Sequence, residues 1–231
     1  MNEERNIRKS ITQVVFAAQS RGVERLTKEL KEDDIAAHFG CTEQTLLHYA
    51  ANNKDARVAE ELIKRKATVD AINITQATPL HLAVLHARPD VVRVLLDHKA
   101  DSERRDNSGR TALGYAADFD IAELLLKRRA NPDAALRNSN LCSDAKYFLS
   151  GCVNPDSGAT LLHQAACWSR RDLIVLLLAH GANPQKPNAN GKTPEDFFND
   201  LYDNRGVSWQ DLVQKAEAQH VLTQLPMASF E

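Results

Sequence analysis

Apolar residues along this chain fall into short paired runs, and the pairs recur in phase. Leu46-Leu47 and Ala50-Ala51 are followed by Leu62-Ile63. Leu80, Leu82 and Ala83 are followed by Val91-Val92 and Val94-Leu95-Leu96. Leu161-Leu162 and Ala165-Ala166 are followed by Leu176-Leu177-Leu178. A threonine opens each pair. Thr45, Thr78, Thr111, Thr160 and Thr193 stand at intervals of 33, 33, 49 and 33 residues, and a fixed period in this range marks stacked supersecondary units. Thr ahead of an apolar run is a helix start, because its hydroxyl can accept from an orphan backbone N–H. Pro79 and Pro194 fit the first helical position, where a missing N–H costs nothing. The alanine pairs let neighbouring helices approach closely, and the leucine pairs fill the core between units. Each unit touches only its neighbours, so none can bury its apolar face alone.

The residues around each threonine carry a family likeness. Thr78-Pro79-Leu80-His81-Leu82-Ala83 leads through Leu95-Leu96 to Ala100-Asp101. Thr45-Leu46-Leu47-His48-Tyr49-Ala50-Ala51 leads to Ala67, and Thr160-Leu161-Leu162-His163-Gln164-Ala165-Ala166 leads to Gly181-Ala182-Asn183. Over roughly residues 40–200 the chain resembles the ankyrin repeat, with its T-P-L-H-x-A signature. The resemblance implies an all-α solenoid of helix–turn–helix repeats with β-turn or hairpin loops and one inserted loop. It also implies that His48, His81 and His163 hydrogen-bond the turn backbones between repeats rather than ligate or catalyse. Ankyrin loops often carry an Asn that an oxygen-sensing hydroxylase modifies. Three residues past each closing Ala stand Asp70, Glu103, Asp133 and Gln185 instead.

Residues 1–39 read as an N-terminal helical cap or degenerate repeat, with an unrelated helical pair as the alternative. Repeats follow at 40–72, 73–105 and 106–130, the last one shortened. From Thr to closing Ala is 22 residues in three repeats (45 to 67, 78 to 100, 160 to 182) but 19 from Thr111 to Ala130. The missing three are placed most simply in the turn between the helices. Residues 131–157 are an insertion, since Ala130 to Thr160 spans 30 residues where Ala100 to Thr111 spans 11. Ser143–Gly151 could make a short helix there, either on the binding face or as a tolerated surface loop. A repeat at 158–187, a capping repeat and helix at 188–223 and a tail at 224–231 complete the chain. After Thr193-Pro194 the repeat pattern dissolves, and Ser208 can cap a last helix whose Trp209, Leu212, Val213 and Ala216 share a face.

Composition and chemistry narrow the function. A net charge of −2 over 231 residues does not favour nucleic acid. No apolar run spans a membrane, and Met1–Arg5 carries no apolar signal core. The four cysteines (Cys41, Cys142, Cys152, Cys167) form none of the close pairs of a zinc or redox site. No phosphate loop, nucleophile elbow or metalloprotease motif appears. The expectation is therefore no catalytic residue, no metal and no cofactor in a cytoplasmic monomer. The nucleus, or a host cytoplasm, is the alternative compartment.

The expected function is a protein–protein interaction scaffold or adaptor. The alternatives are a targeting domain of a larger enzyme, or an effector of an intracellular pathogen acting on a host protein. Ankyrin-like stacks bind partners in a concave groove lined by hairpin tips and first helices. Counting seven and eight from each Thr assigns Asn52 and Asn53, Leu85 and His86, Asp118 and Phe119, and Cys167 and Trp168 to that groove. Ile74, Arg110 and Asp156 are the turn positions beside them. Phe119 and Trp168 are candidate anchors of the kind that interfaces use for much of their energy, unless the insertion covers them.

Overall fold

The computed structural model describes Ile35 and residues 37–53, 55–135, 158–199 and 206–224. Among these residues there are helices, one 3₁₀ turn and a single isolated antiparallel bridge, Phe39 to Gln44. The class is the expected all-α stack. The N-terminal cap (bar its last residues), the helix expected at Ser143–Gly151 and the tail beyond Gln224 lie outside the described residues. The chain divides into two compact units. One takes in the residues up to Asn107 together with Tyr115–Arg128, and the other Ser108–Gly114 and the residues from Arg129 on.

The first unit contains α1 (Leu46–Ala51), α2 (Ala56–Lys64), α3 (Pro79–Leu85), α4 (Pro89–Asp97) and α5 (Phe119–Lys127). α1 packs on α2 and α3, α2 on α4, α3 on α4, and α4 on α5. First helices thus stack on first helices and second on second. The second helices are amphipathic with a one-sided stripe. α4 buries Val91, Val92, Leu95 and Leu96, and α5 buries Ile121, Ala122, Leu125 and Leu126, the pattern of a helix with one core face. Both first helices bury alanines at their packing faces, Ala50 and Ala51 in α1 and Ala83 in α3.

The second unit contains α6 (Leu161–Cys167), α7 (Arg171–Ala179), α8 (Pro194–Asn199) and α9 (Trp209–Gln224). α6 packs on α7 and α8, and α9 lies on α7 and α8. Covered from two sides, α7 buries Leu173 through Leu177 without interruption. A helix, α8, follows Thr193 where the sequence pattern dissolves. Thr193 and Asp196 cap each other, the Thr193 N–H donating to the Asp196 carboxylate at 2.7 Å and the Asp196 N–H to the Thr193 hydroxyl at 3.4 Å. Ser208 and Asp211 cap α9 in the same way, at 2.8 and 3.1 Å. Phe198 and Trp209 close this end, with ring centroids 5.6 Å apart.

The shortened repeat corrects one expectation. Three residues (His86, Ala87, Arg88) separate α3 from α4. Three residues (Ala116, Ala117, Asp118) also separate the 3₁₀ turn Ala112–Tyr115 from α5. The turn between helices keeps its length. The loss falls in the first helix, which drops from seven residues in α3 to four in the 3₁₀ turn. Gly114 stands where His81 stands in α3. It offers no side chain to the helix start and has a poor helix propensity.

The insertion leaves the stacking contact intact. The Asp70 carboxylate accepts from the Asp101 N–H at 3.0 Å, 31 residues along the chain. The equivalent Asp133 carboxylate accepts from the Asn183 N–H at 3.0 Å, 50 residues along. The difference of 19 residues matches the excess length read from the sequence. The Asp133 and Asn183 loops therefore meet as the Asp70 and Asp101 loops do, with 19 more residues of chain between them, consistent with the slow growth of closure entropy with loop length.

Candidate functional site

The recurring histidines sit at the third helical position after Thr45, Thr78 and Thr160. In α1 the Thr45 main-chain N–H donates to His48 Nδ1 at 3.1 Å, and the Thr45 hydroxyl lies 2.9 Å from the same nitrogen. Thr45 accepts in return from the His48 main-chain N–H, which completes a capping box with histidine in place of the usual Glu. Since Nδ1 accepts, the hydrogen is on Nε2, which donates to the Ala77 carbonyl at 2.9 Å. His163 repeats the scheme with Thr160 at 3.0 Å and the Lys192 carbonyl at 3.2 Å. His81 is capped by Thr78 at 3.1 Å and meets the edge of Tyr115, centroids 6.2 Å apart. Ala77 and Lys192 immediately precede the next threonine in the series. One imidazole therefore ties the start of its own helix to the start of the next. Burial pulls the His48 pKa down to about 4 and also lowers that of His163, so both rings are neutral at physiological pH.

The same elements position the hairpin tips. Asn73 Oδ1 accepts from the Thr75 and Ala77 N–H groups at 2.9 and 3.0 Å. Asn188 does the same for Asn190 and Lys192, at 2.9 and 3.0 Å. In the first unit the Ile74 N–H donates to the Thr42 carbonyl at 3.0 Å, and the Asn107 N–H to the Thr75 carbonyl at 2.9 Å. The Ile74 side chain is left 52% exposed on this tied row.

The positions read from the sequence as groove residues behave unevenly. In the first unit Leu85 ends α3 half-buried, and His86 caps it exposed, its pKa lowered by partial burial and by the charge of Arg88. Phe119 is 37% exposed. Ile74 is exposed at its tip. In the second unit Trp168 caps α6 half-buried, and Arg110 is half-buried. Two positions are corrected. Asn53 is 1% and Cys167 4% exposed, so neither offers its side chain to a partner. Asn53 Oδ1 is turned inward to the Asp55 N–H, and Cys167 joins the core of α6. A third correction concerns register. Because the first helix of the shortened repeat lost three residues, counting from Thr111 lands Asp118 and Phe119 at the start of α5, not at a first-helix end. Asp118 caps α5, its carboxylate accepting from Asp120 and Ile121 at 3.0 and 3.3 Å. Asp156 lies outside the described residues. Among the described residues no group of three or more His, Cys, Asp or Glu could hold a metal ion.

A family model described as Ankyrin repeats (3 copies) matches residues 14–106 and 47–135, and the Ankyrin repeat model matches residues 157–189. The chain belongs to the ankyrin-repeat family. Its relatives include "Neurogenic locus notch homolog protein 1" of Danio rerio, 33% identical over 138 residues that make up 52% of this chain and 6% of that protein. "Protein glp-1" of Caenorhabditis elegans is 29% identical over 67% of this chain and 12% of its own length. "Tyrosine-protein kinase Shark" of Drosophila melanogaster is 30% identical over 74% of this chain and 16% of its own length. The chain spans less than a fifth of each of these relatives. Ankyrin repeats are interaction modules and are not catalytic in themselves.

The ankyrin register also exposes a column that sequence reasoning passed over. Four residues after their threonines stand Tyr49, Leu82 and Tyr115, all in the first unit and all half-buried. Their spacing of 33 was readable from the chain. It went unread because the count was set seven and eight residues past each Thr, a distance that presumes a full-length first helix. Tyr115 is held by its hydroxyl, which donates to Asp106, as well as by the edge of His81. The column thus consists of half-exposed aromatic and aliphatic side chains, two on first helices and one on the 3₁₀ turn.

Proposed function

We propose that this chain is a protein-binding scaffold or adaptor whose ankyrin repeats hold a partner protein on their hairpin tips, their first helices and the turns that lead into the second helices. The observation that carries the reading is that Ile74 and Phe119 are the exposed large hydrophobic residues among those described. Both are held on fixed backbone, Ile74 in the tied tip row and Phe119 at a capped helix start. Exposed apolar side chains on rigid elements are what a partner can desolvate at low entropic cost. Tyr49, Leu82, Leu85 and His86 extend the candidate surface of the first unit, and Trp168 is the candidate anchor of the second. The chemistry is recognition without turnover. Among the described residues no helix is long and apolar enough to cross a membrane.

A second reading has one observation in its favour. The stretch similar to this chain makes up 16% of a tyrosine kinase, which supports a role in targeting a larger protein to its partner. Affinity capture with wild type, Phe119→Ala and Trp168→Ala tests the scaffold reading, with folding of each variant checked by circular dichroism. Each substitution is expected to cost roughly 2 kcal/mol or more in affinity for a captured partner. Unchanged affinity per folded molecule for both variants refutes the assignment.

A further inference from the structure

The chain contains one Asn-Gly pair, Asn190-Gly191, and the fold sets it out in the open. Both residues are exposed at the hairpin tip ahead of Thr193. Gly191 takes φ +77°, and a side chain built on it would meet nothing within 4 Å. No Cβ at 191 therefore shields the main-chain nitrogen next along the chain from the Asn190 carboxamide. The corresponding tip of another repeat shows the contrast. There Asn107 precedes Ser108, its side-chain amide donates to the Ile74 carbonyl at 3.2 Å, and Ser108 is buried.

We propose that Asn190 is a site of spontaneous succinimide formation and isoaspartate conversion, a covalent modification seated in the binding-tip row. The Gly191 amide nitrogen attacks Asn190 Cγ. A bond forms between them, the Cγ–Nδ2 bond breaks, and ammonia leaves with the proton from the Gly191 amide. Water then opens the imide. Attack at Cγ gives aspartate at 190. Attack at the main-chain carbonyl of 190 leaves the chain running through the β-carbon as isoaspartate. The nitrogen itself is held by one hydrogen bond, from the Gly191 N–H to the Asn188 carbonyl at 3.0 Å, within a tip that the Asn188 side chain also ties at the Asn190 and Lys192 N–H groups. It must open to free the nitrogen, and exposed turns open at little free-energy cost.

The lesion has a defined structural target. Two residues on, the Lys192 carbonyl accepts from the Asn188 N–H at 2.9 Å and from the buried His163 Nε2–H at 3.2 Å. Isoaspartate lengthens the main chain between Asn188 and Lys192 by one carbon and adds a negative charge. The ring of His163 then loses its acceptor, and the tie between α6 and α8 goes with it. Conversion at Asn190 is therefore coupled to the stability of the C-terminal repeats.

The experiment ages the intact chain at mildly alkaline pH and 37 °C beside a sample of the same chain unfolded in urea. Peptide mass spectrometry and an isoaspartyl methyltransferase assay follow the peptide holding residues 188–192. The expected result is a gain of one mass unit and methyl acceptance at that peptide in the folded protein. A lower urea midpoint accompanies the converted fraction, and both changes are absent from aged Asn190→Gln. A folded sample whose peptide stays unchanged while the urea sample converts overturns the proposal. So does conversion at the Asn107 peptide ahead of the Asn190 peptide. Full conversion at Asn190 with an unmoved midpoint overturns the coupling to His163.

Discussion

The repeat opened by Thr78 and the one opened by Thr111 share a second helix of nine residues and a three-residue turn, yet differ in their first helix. Thr78-Pro79-Leu80-His81 builds a capping box on a seven-residue α-helix. Thr111-Ala112-Leu113-Gly114 supplies no imidazole and forms a four-residue 3₁₀ turn. The second helix is set by its apolar stripe, which both repeats keep. The first helix is short enough that its start decides it: below about 12 residues a helix is marginal without tertiary support. Two differences, the loss of three residues and Gly for His at the third helical position, thus separate a regular ankyrin repeat from a reduced one.

The largest expected effects test what the two repeats share. Leu95 in α4 and Leu125 in α5 are both fully buried, and Leu→Ala at either is expected to lower stability by roughly 2–5 kcal/mol in urea unfolding. Leu177 in α7, equally buried, belongs to the same class. A midpoint shift within error at all three positions breaks the claim that the second helices carry the core.

Acid should separate the repeats next, because His48 and His163 are buried neutral while the Thr111 repeat has no such ring. The unfolded chain takes up a proton at His48 near the ordinary histidine value of 6.5, and the folded chain only near 4. Between these values the unfolded state binds more protons, so stability falls as pH falls from about 6.5 to about 4 and levels off below. The loss from His48 alone is on the order of 3 kcal/mol. His48→Gln should flatten that slope, and an unchanged slope would mean the ring is not protonated in this window.

Caps sharpen the comparison at smaller scale. Thr78→Ala removes half of a capping box and is expected to cost about 1 kcal/mol. Thr111→Ala opens a 3₁₀ turn with no box and is expected to cost less. Equal losses would show that the imidazole adds nothing to the cap. Smaller still, Lys66 and Lys99 close their second helices at φ +67° and +64°, where Gly181 does so at φ +87° in a later repeat. Lys66→Gly and Lys99→Gly should each raise stability by about 0.5 kcal/mol, the relief of left-handed strain less the added freedom of the unfolded chain.

The fold was legible because its determinants repeat. Thr, His, Ala and Leu-Leu recur in register, and each has a local physical task that the structure displays, down to the reach of His48 to Ala77 and of His163 to Lys192. Surface positions were less legible, because a register counted from Thr fails as soon as a helix changes length. Phe119 was found exposed, but at a second-helix start, and Asn53 and Cys167 turned inward. The Asp70 and Asp133 positions, read only for lacking Asn, turned out to tie neighbouring loops. Nothing in one chain's residue types announces that an exposed loop acid will meet a backbone N–H from the next repeat.

The most direct test of the account is hydrogen exchange at the two first helices. The main-chain amides of Leu82 to Leu85 in α3 and of Gly114 and Tyr115 in the 3₁₀ turn can be followed in one experiment at neutral pH. Gly114 and Tyr115 are expected to exchange well before the α3 amides, because a 3₁₀ turn without the Thr–His box opens locally at lower free energy. Equal protection of the two sets would contradict the claim that losing three residues and the capping histidine weakens a first helix.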